Sequence, residues 1–203
     1  MVDEKECRKY ELRQRADAMA ATRRRIIDAA VELHGTIGPA RTTIAGIAQA
    51  AGVQRHTVYR HFPNEDELFD ACSQQYWSSH PWPDVEAWRA IEPGPERLAK
   101  ALEELYAFYA EIEPMLSNVL RDAEIVPVVV RALDPYRDYL DSVVCVIVQG
   151  YLPNVTRAPL ADAALSHATA FHTWQSLVRH NALGPSDAAR LMTTMVQGAF
   201  SDS

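Results

Sequence analysis

The sequence predicts an all-α fold, and three observations carry that expectation. Apolar residues recur at steps of three and four through most of the 203 positions, the spacing that lines up one face of a helix. The gaps between these runs are rich in the helix stops glycine and proline, as in HGTIGP at 34–39, GYLPN at 150–154 and NALGPS at 181–186. The two β-branched segments, 125–130 and 143–148, come with neither a hairpin turn nor the spacing of a strand-helix-strand unit.

Taken in order, residues 1–17 mix both charge signs without a clear apolar stripe and read as a flexible or loosely helical arm. From Ala18, the residues Met19, Ile26, Ile27, Ala30, Val31 and Leu33 predict a first helix ending at HGTIGP. A second fits 43–50, with Thr43 as its cap and Ile44, Ile47, Ala48 and Ala51 facing inward. The stretch AAGVQRHTVYRHF then sets Gly52 between that helix and another short one, at a point where a left-handed backbone is often required. Asn64 followed by EDEL starts a helix running to about Ser79, since the acidic first turn suits the positive end of the helix dipole. A Pro- and Trp-containing connector leads to a helix from about Pro95 to Glu111, with Leu98, Leu102, Leu105 and Tyr109 on one face and Pro114 interrupting it. Further helices fit 115–123, 127–150, 159–181 and 186–199.

Composition narrows the function classes. A 48% hydrophobic content is that of a globular chain with a proper core. No apolar run approaches the roughly 18 to 20 residues of a membrane span, and the charged start is not a secretion signal, so a cytoplasmic protein without membrane association is expected. Cys7, Cys72 and Cys145 lack any CxxC spacing and are read as free thiols. His167, His172 and His180 fall on different helix faces, which argues against a shared metal site. No phosphate loop, HExxH or nucleophile elbow is present, so no metal or other cofactor is expected and an enzyme finds little support.

Charge is unevenly spread. Residues 1–62 carry eleven Lys/Arg against seven Asp/Glu, a balance of +4, whereas 63–203 carry nine against twenty, a balance of −11. The front suits a polyanion and the remainder does not. Two short helices joined by a turn with a glycine form the helix-turn-helix unit, whose second helix enters the DNA major groove. Its exposed face would carry Arg55, His56, Thr57, Tyr59 and His61, where arginine can bond a guanine edge bidentately and the others can bond bases or phosphates. Tyr59 and His61 also fit capping or packing roles, whereas Ile44, Ile47, Val53, Val58 and Phe62 read as core.

At this point the chain resembles the tetracycline-repressor (TetR) family of bacterial transcription regulators. The run RRRIIDAAVELHGTIGPARTTIAGIAQAAGVQRHTVYRHFPNEDELF carries, without a gap, the order Thr-Thr, Ile-Ala, Ala-Gly-Val, Thr-Val-Tyr, His-Phe-Pro and an acidic-Leu helix. The resemblance implies a three-helix DNA-binding domain at 18–63 after the arm, then a larger helical ligand-binding and dimerisation domain at 64–203. It further implies a homodimer that binds a double-stranded DNA operator and answers to a small-molecule effector. By position, Arg55, His56 and Thr57 match the base-reading end of the recognition helix, and Thr43, Tyr59 and His61 match positions that usually contact phosphate. Gln54, counted with the DNA-facing set, replaces the usual small cap; Ala45 and Gly46 replace polar residues; and Glu65 stands where a phosphate-binding lysine is common. Arm residues Arg13, Arg15, Arg23, Arg24 and Arg25 fit two readings equally, DNA contacts that compensate for this thinner anchoring or a solvated tail.

For the second domain the resemblance implies a largely apolar cavity with a few orienting polar groups, and Tyr109, Asn118, Phe171, Trp174 and Gln175 are the candidates. Aromatic residues at helical spacing are more often core than the lining of a ligand site. Asp134, Asp138 and Asp141 share a helix face and are read as solvated beside Arg131 and Arg137. Leu160, Ala164, Ala168, Phe171 and Val178, then Ala188, Leu191, Met192, Met195 and Val196, suit a helix pair that meets its copy across a two-fold axis. The competing reading is a DNA-binding regulator whose second domain only dimerises or meets a protein partner.

Overall fold

The computed structural model describes residues 4–151 and 159–201, and among these every regular element is helical. The GYLPN separator at 150–154 runs into 152–158, outside the described residues. The chain forms two compact units, one of residues 1–80 with 114–132 and one of 81–113 with 133–203.

The first unit opens with α1 (Glu4–Thr36), followed by a short 3-10 turn (Pro39–Arg41), α2 (Ile44–Ala50), α3 (Arg55–His61) and α4 (Glu65–Ser79). The arm is therefore helical and continuous with the first helix rather than loose. Its described side chains, from Arg8 to Arg25, are almost all exposed, so packing does not hold it. Alanine, arginine, leucine and methionine favour helix, and a helix already nucleated by the packed residues beyond Ile26 extends by one hydrogen bond per residue. The core joins Ile26, Ile27 and Ala30 of α1 to Ile44, Ile47 and Ala48 of α2, Val58 and Phe62 around α3, and Leu68 and Cys72 of α4.

Gly52 lies at φ +63, in the left-handed region expected of it. The N–H of Val53 donates to Ala48 O (2.9 Å) and that of Gly52 to Gln49 O (3.2 Å), the paired bonds that close a helix at such a glycine. Thr43 accepts from Gly46 N at 3.0 Å and Asn64 from Glu67 N at 2.8 Å, so both predicted caps form.

In the second unit, α5 (Val85–Arg89) occupies what reads as connector; Asp84 caps it and Trp88 is buried beneath it, donating to Glu104 Oε2 at 2.7 Å. The next helix, α6 (Pro95–Asp122), runs uninterrupted through Pro114. Proline removes one helical hydrogen bond, but Pro114, Ala110 and Glu111 are all exposed, so the carbonyl left without a helical partner lies where water can reach it. Residues of α6 up to Glu113 belong to the second unit and those from Pro114 to the first. After α7 (Pro127–Ala132), which completes the first unit, α8 (Asp134–Tyr151) starts afresh, dividing the expected 127–150 helix at Leu133. Pro135, in the first turn of α8, has no N–H with which to continue α7.

The expected 159–181 helix is likewise divided, into α9 (Pro159–Thr169), α10 (Phe171–Gln175) and a π turn (Ser176–His180); α11 (Pro185–Ser201) follows. The break falls at Ala170, which is extended (φ −70, ψ 136). Two carbonyls at the end of α9 are bonded from outside the helix: Tyr106 donates to Ala168 O at 2.9 Å and Tyr109 to Thr169 O at 2.6 Å.

Candidate nucleic-acid interface

Val58 and Phe62, 0% and 2% exposed, anchor α3 in the core and thereby decide what its other side presents. Arg55, His56, Tyr59 and Arg60 are exposed, spaced as one helix face, while Thr57 and His61 are half-buried at its edges and Gln54 is exposed just ahead of it. Arg55 makes no ion pair or side-chain hydrogen bond to another described residue, so its five donors are unspent. Arg60 belongs to this face but not to the set expected from the sequence; its position four residues after His56 is the signal that places it there.

Thr43 is exposed, and although its hydroxyl oxygen accepts the cap bond, its O–H remains able to donate outward. His61 is placed less favourably for an anion. Its Nε2 is buried without a hydrogen-bond partner, and burial, with help from Arg60 and Arg23, lowers its pKa and favours the neutral ring. Arg23 of α1 lies over the Phe62 ring, 4.7 Å from the centroid, which puts the start of the packed part of α1 beside the C-terminal end of α3.

The far end of α1 is held by the last turn and a half of α6. Asn118 Nδ2 donates to His34 O (3.1 Å) and Gly35 O (2.8 Å), and Arg121 donates to Ile37 O (3.2 Å). Asp122, 2% exposed, accepts from Ala40 N (2.9 Å) and from Arg121 Nε (2.7 Å), bonds that hold its pKa below the usual carboxylate range against its burial. His34 is also buried, 5.0 Å from the Phe69 ring, and burial lowers its pKa to about 4 despite the nearby Asp122.

Of the five residues expected at a ligand site, the structure brings three together in the second unit. Phe171 stands edge-on to Tyr109 at 5.4 Å, and Trp174 lies 6.0 Å from Tyr109 and 5.4 Å from Phe171. All three are buried. Burial, with Tyr136 and other tyrosines nearby, pushes the Tyr109 phenol well above its usual range, and Tyr136, whose hydroxyl lies 3.1 Å from that of Tyr109, is pushed up to about 12. Trp174 Nε1 is buried with no partner, a donor turned toward no acceptor, and Arg179 covers the indole at 5.3 Å while pairing with Glu113 at 2.6 Å. Gln175 is half-buried next to Trp174 in the chain. Asn118 is not part of this cluster: it belongs to the first unit, where its amide is committed to the end of α1.

Comparison with known proteins matches residues 26–72 to the sequence profile of "Bacterial regulatory proteins, tetR family". Over 69 residues, 34% of this chain and 33% of the other, it is 39% identical to the HTH-type transcriptional regulator TtgR of Pseudomonas putida. The chain thus spans about a third of the length of the curated relatives it matches. Two solved structures share the fold over most of both chains. NalD, the secondary repressor of the MexAB-OprM multidrug efflux pump in Pseudomonas aeruginosa, is 20% identical with a TM-score of 0.61, covering 88% of this chain and 95% of that one. A TetR-family transcriptional regulator from Streptomyces coelicolor is 20% identical with a TM-score of 0.54, covering 87% and 81%.

Proposed function

From the premise that this chain belongs to the TetR family of bacterial regulatory proteins, we propose that it is a homodimeric transcription regulator that binds a double-stranded DNA operator through α3 and leaves it when a small molecule binds the second unit. The observation that carries the DNA-binding half is the outward face of Arg55, His56, Tyr59 and Arg60, on which Arg55 is unspent on the protein itself. A major-groove helix needs such donors on one side and a buried anchor on the other. A two-fold dimer would offer two copies of α3 to half-sites roughly 34 to 36 Å apart, and an effector that prefers a form with a different separation would shift the population off DNA.

The sensor half is supported by Trp174, whose buried, unpartnered Nε1 among aromatic rings suits a ligand that brings an acceptor. The one observation favouring a purely structural second unit is that the hydroxyls of Tyr106 and Tyr109 already serve backbone carbonyls.

Selection from a random-sequence duplex pool tests the first half. Arg55→Ala is expected to relax one base position and cost about 1 to 3 kcal/mol on the preferred site; an unchanged preference would remove α3 from the role. Native mass spectrometry of protein purified from its host tests the second. A bound small molecule that weakens binding to the selected duplex supports the sensor, and operator affinity that survives every bound molecule overturns it.

A further inference from the structure

The part of α1 that precedes the family match, residues 4–25, carries eight Lys/Arg against four Asp/Glu, and its described side chains are nearly all open to solvent. At about 1.5 Å per residue, the nineteen residues before Arg23 reach roughly 28 Å beyond the point where Arg23 meets the end of α3. A helix that long with no packed face would be an unexplained exposure of both charge and apolar surface. Its pattern supplies the explanation.

Arg8, Leu12, Arg15, Met19 and Arg23 follow one another at steps of four, three, four and four, so they share one stripe of the helix. Arg23 fixes the direction of that stripe, because it lies over Phe62, the residue that closes α3. Of the acidic residues from Arg8 on, Glu11 and Asp17 fall off the stripe, about 80° and 160° from its midline at 100° per residue. Arg15 and Arg23 make no ion pair with another described residue. Leu12 and Met19 are 59% and 55% exposed between the arginines.

We infer that this helical arm is a second DNA-contacting element, laid along the duplex beside the segment read by α3, with Arg8, Arg15 and Arg23 on phosphates and Leu12 and Met19 against the sugars between them. The inference rests on the DNA-binding role of α3. Charge complementarity and continuity with the exposed face of α3 select nucleic acid over other partners. A basic stripe with apolar residues in it also suits an anionic lipid surface, but the arm arises beside the recognition helix, where a duplex held by α3 would already lie.

The test uses the full chain and a mixed-sequence 40-base-pair duplex, with affinity followed by fluorescence anisotropy from 50 to 200 mM salt. Arg8→Gln with Arg15→Gln is expected to weaken binding and make the log affinity against log salt slope shallower by about 1.8 per protomer, about 0.9 for each phosphate no longer neutralised. Arg13 and Arg25, grouped by the sequence with the anchoring arm cations, lie about 120° from the stripe's midline, so the same charge change there, Arg13→Gln with Arg25→Gln, is expected to alter the slope less than half as much. All four positions are exposed, and circular dichroism confirms that each variant remains folded. An unchanged slope in the first variant, or equal changes in both, overturns the arm's role on DNA. So does a first variant that loses binding to phosphatidylglycerol vesicles while keeping its slope on DNA. A wild-type protein that fails to bind any duplex, including pools selected at low salt, would instead overturn the role of α3.

Discussion

Asp122 accepts a hydrogen bond from the backbone N–H of Ala40, eighty-two residues earlier, at 2.9 Å, and it does so from a nearly fully buried position. With Asn118 on Gly35 O and Arg121 on Ile37 O, this bond ties the turn between α1 and α2 to the end of α6. A larger residue in the turn has to displace the pair formed by Arg121 and Asp122. At Gly38, with φ +91, an added Cβ would overlap both Arg121 and Asp122.

Gly38→Ala is therefore expected to destabilise the protein by about 1 to 3 kcal/mol, from backbone strain together with the displaced pair. Asp122→Ala is expected to cost a similar amount, since it leaves the Ala40 N–H without its acceptor and Arg121 without its carboxylate. Urea unfolding measures both. A midpoint within error of wild type for either would show that the turn holds without this bond.

Stability should also depend on His34. Its folded pKa, about 4, is below the 6.5 of the unfolded chain, because burial disfavours the charged ring and Asp122 only partly offsets this. The unfolded chain therefore takes up the proton first as the pH falls. Stability is fully present above about pH 6.5 and declines between there and pH 4, by up to about 3 kcal/mol in total. Replacing the ring by His34→Gln is expected to lower stability at neutral pH but to flatten its pH dependence in that window. Chemical unfolding at pH 7, 6, 5 and 4 reads the slope, and the same slope in the variant would assign it to another group.

Glu65, the first residue of α4, is exposed where the resemblance places a phosphate-binding lysine. Glu65→Lys should destabilise the isolated protein by about 0.3 to 1 kcal/mol, because it reverses a favourable charge at the helix start. It should tighten DNA binding evenly across sequences and steepen the salt slope by about 0.9 per protomer. Affinity and slope that stay where they were would mean that α4 begins away from the backbone.

The last prediction concerns assembly. Ala168, Ala188, Met192 and Val196 are spent inside the second unit, whereas Leu160, Leu191 and Met195 are exposed by 58%, 41% and 55%. We expect the exposed three to meet their copies, so Met195→Asp should shift sedimentation toward the monomer and weaken operator binding together. Because the side chain is exposed, folding should survive. A tight dimer carrying this aspartate would place the interface elsewhere.

How much of this was legible beforehand follows the range of the interactions. Local rules were enough for Thr43 and Asn64 as caps, for Gly52 as the left-handed stop, and for Ile44, Ile47, Val58 and Phe62 as core, because each depends on neighbours within a few residues. The same rules misjudged Pro114, since nothing in the local sequence says that the carbonyl it leaves without a helical partner faces water. They could not foresee the break at Ala170, where tyrosines sixty residues away bond the carbonyls at the end of α9. Asn118 shows the same limit. The resemblance makes it a polar group for a ligand, yet its amide partners lie eighty-three and eighty-four residues back in α1. Phe171 and Trp174, three apart, share a face by local spacing, whereas their meeting with Tyr109 of α6 is again a contact across some sixty residues.

The first unit is discontinuous in the chain, for it needs residues 114–132 as well as 1–80. During synthesis the turn before α2 must wait for tethers that end at Asp122, forty-two residues after His80, roughly 2 to 8 s at about 5 to 20 residues per second. Until then Gly35, Ile37 and Ala40 lack the side chains that tether them. The same geometry limits engineering by truncation or by grafting. A fragment cut at residue 80, or a hybrid joined there to a foreign C-terminal half, carries α3 intact but leaves behind the anchors on which the turn before α2 depends.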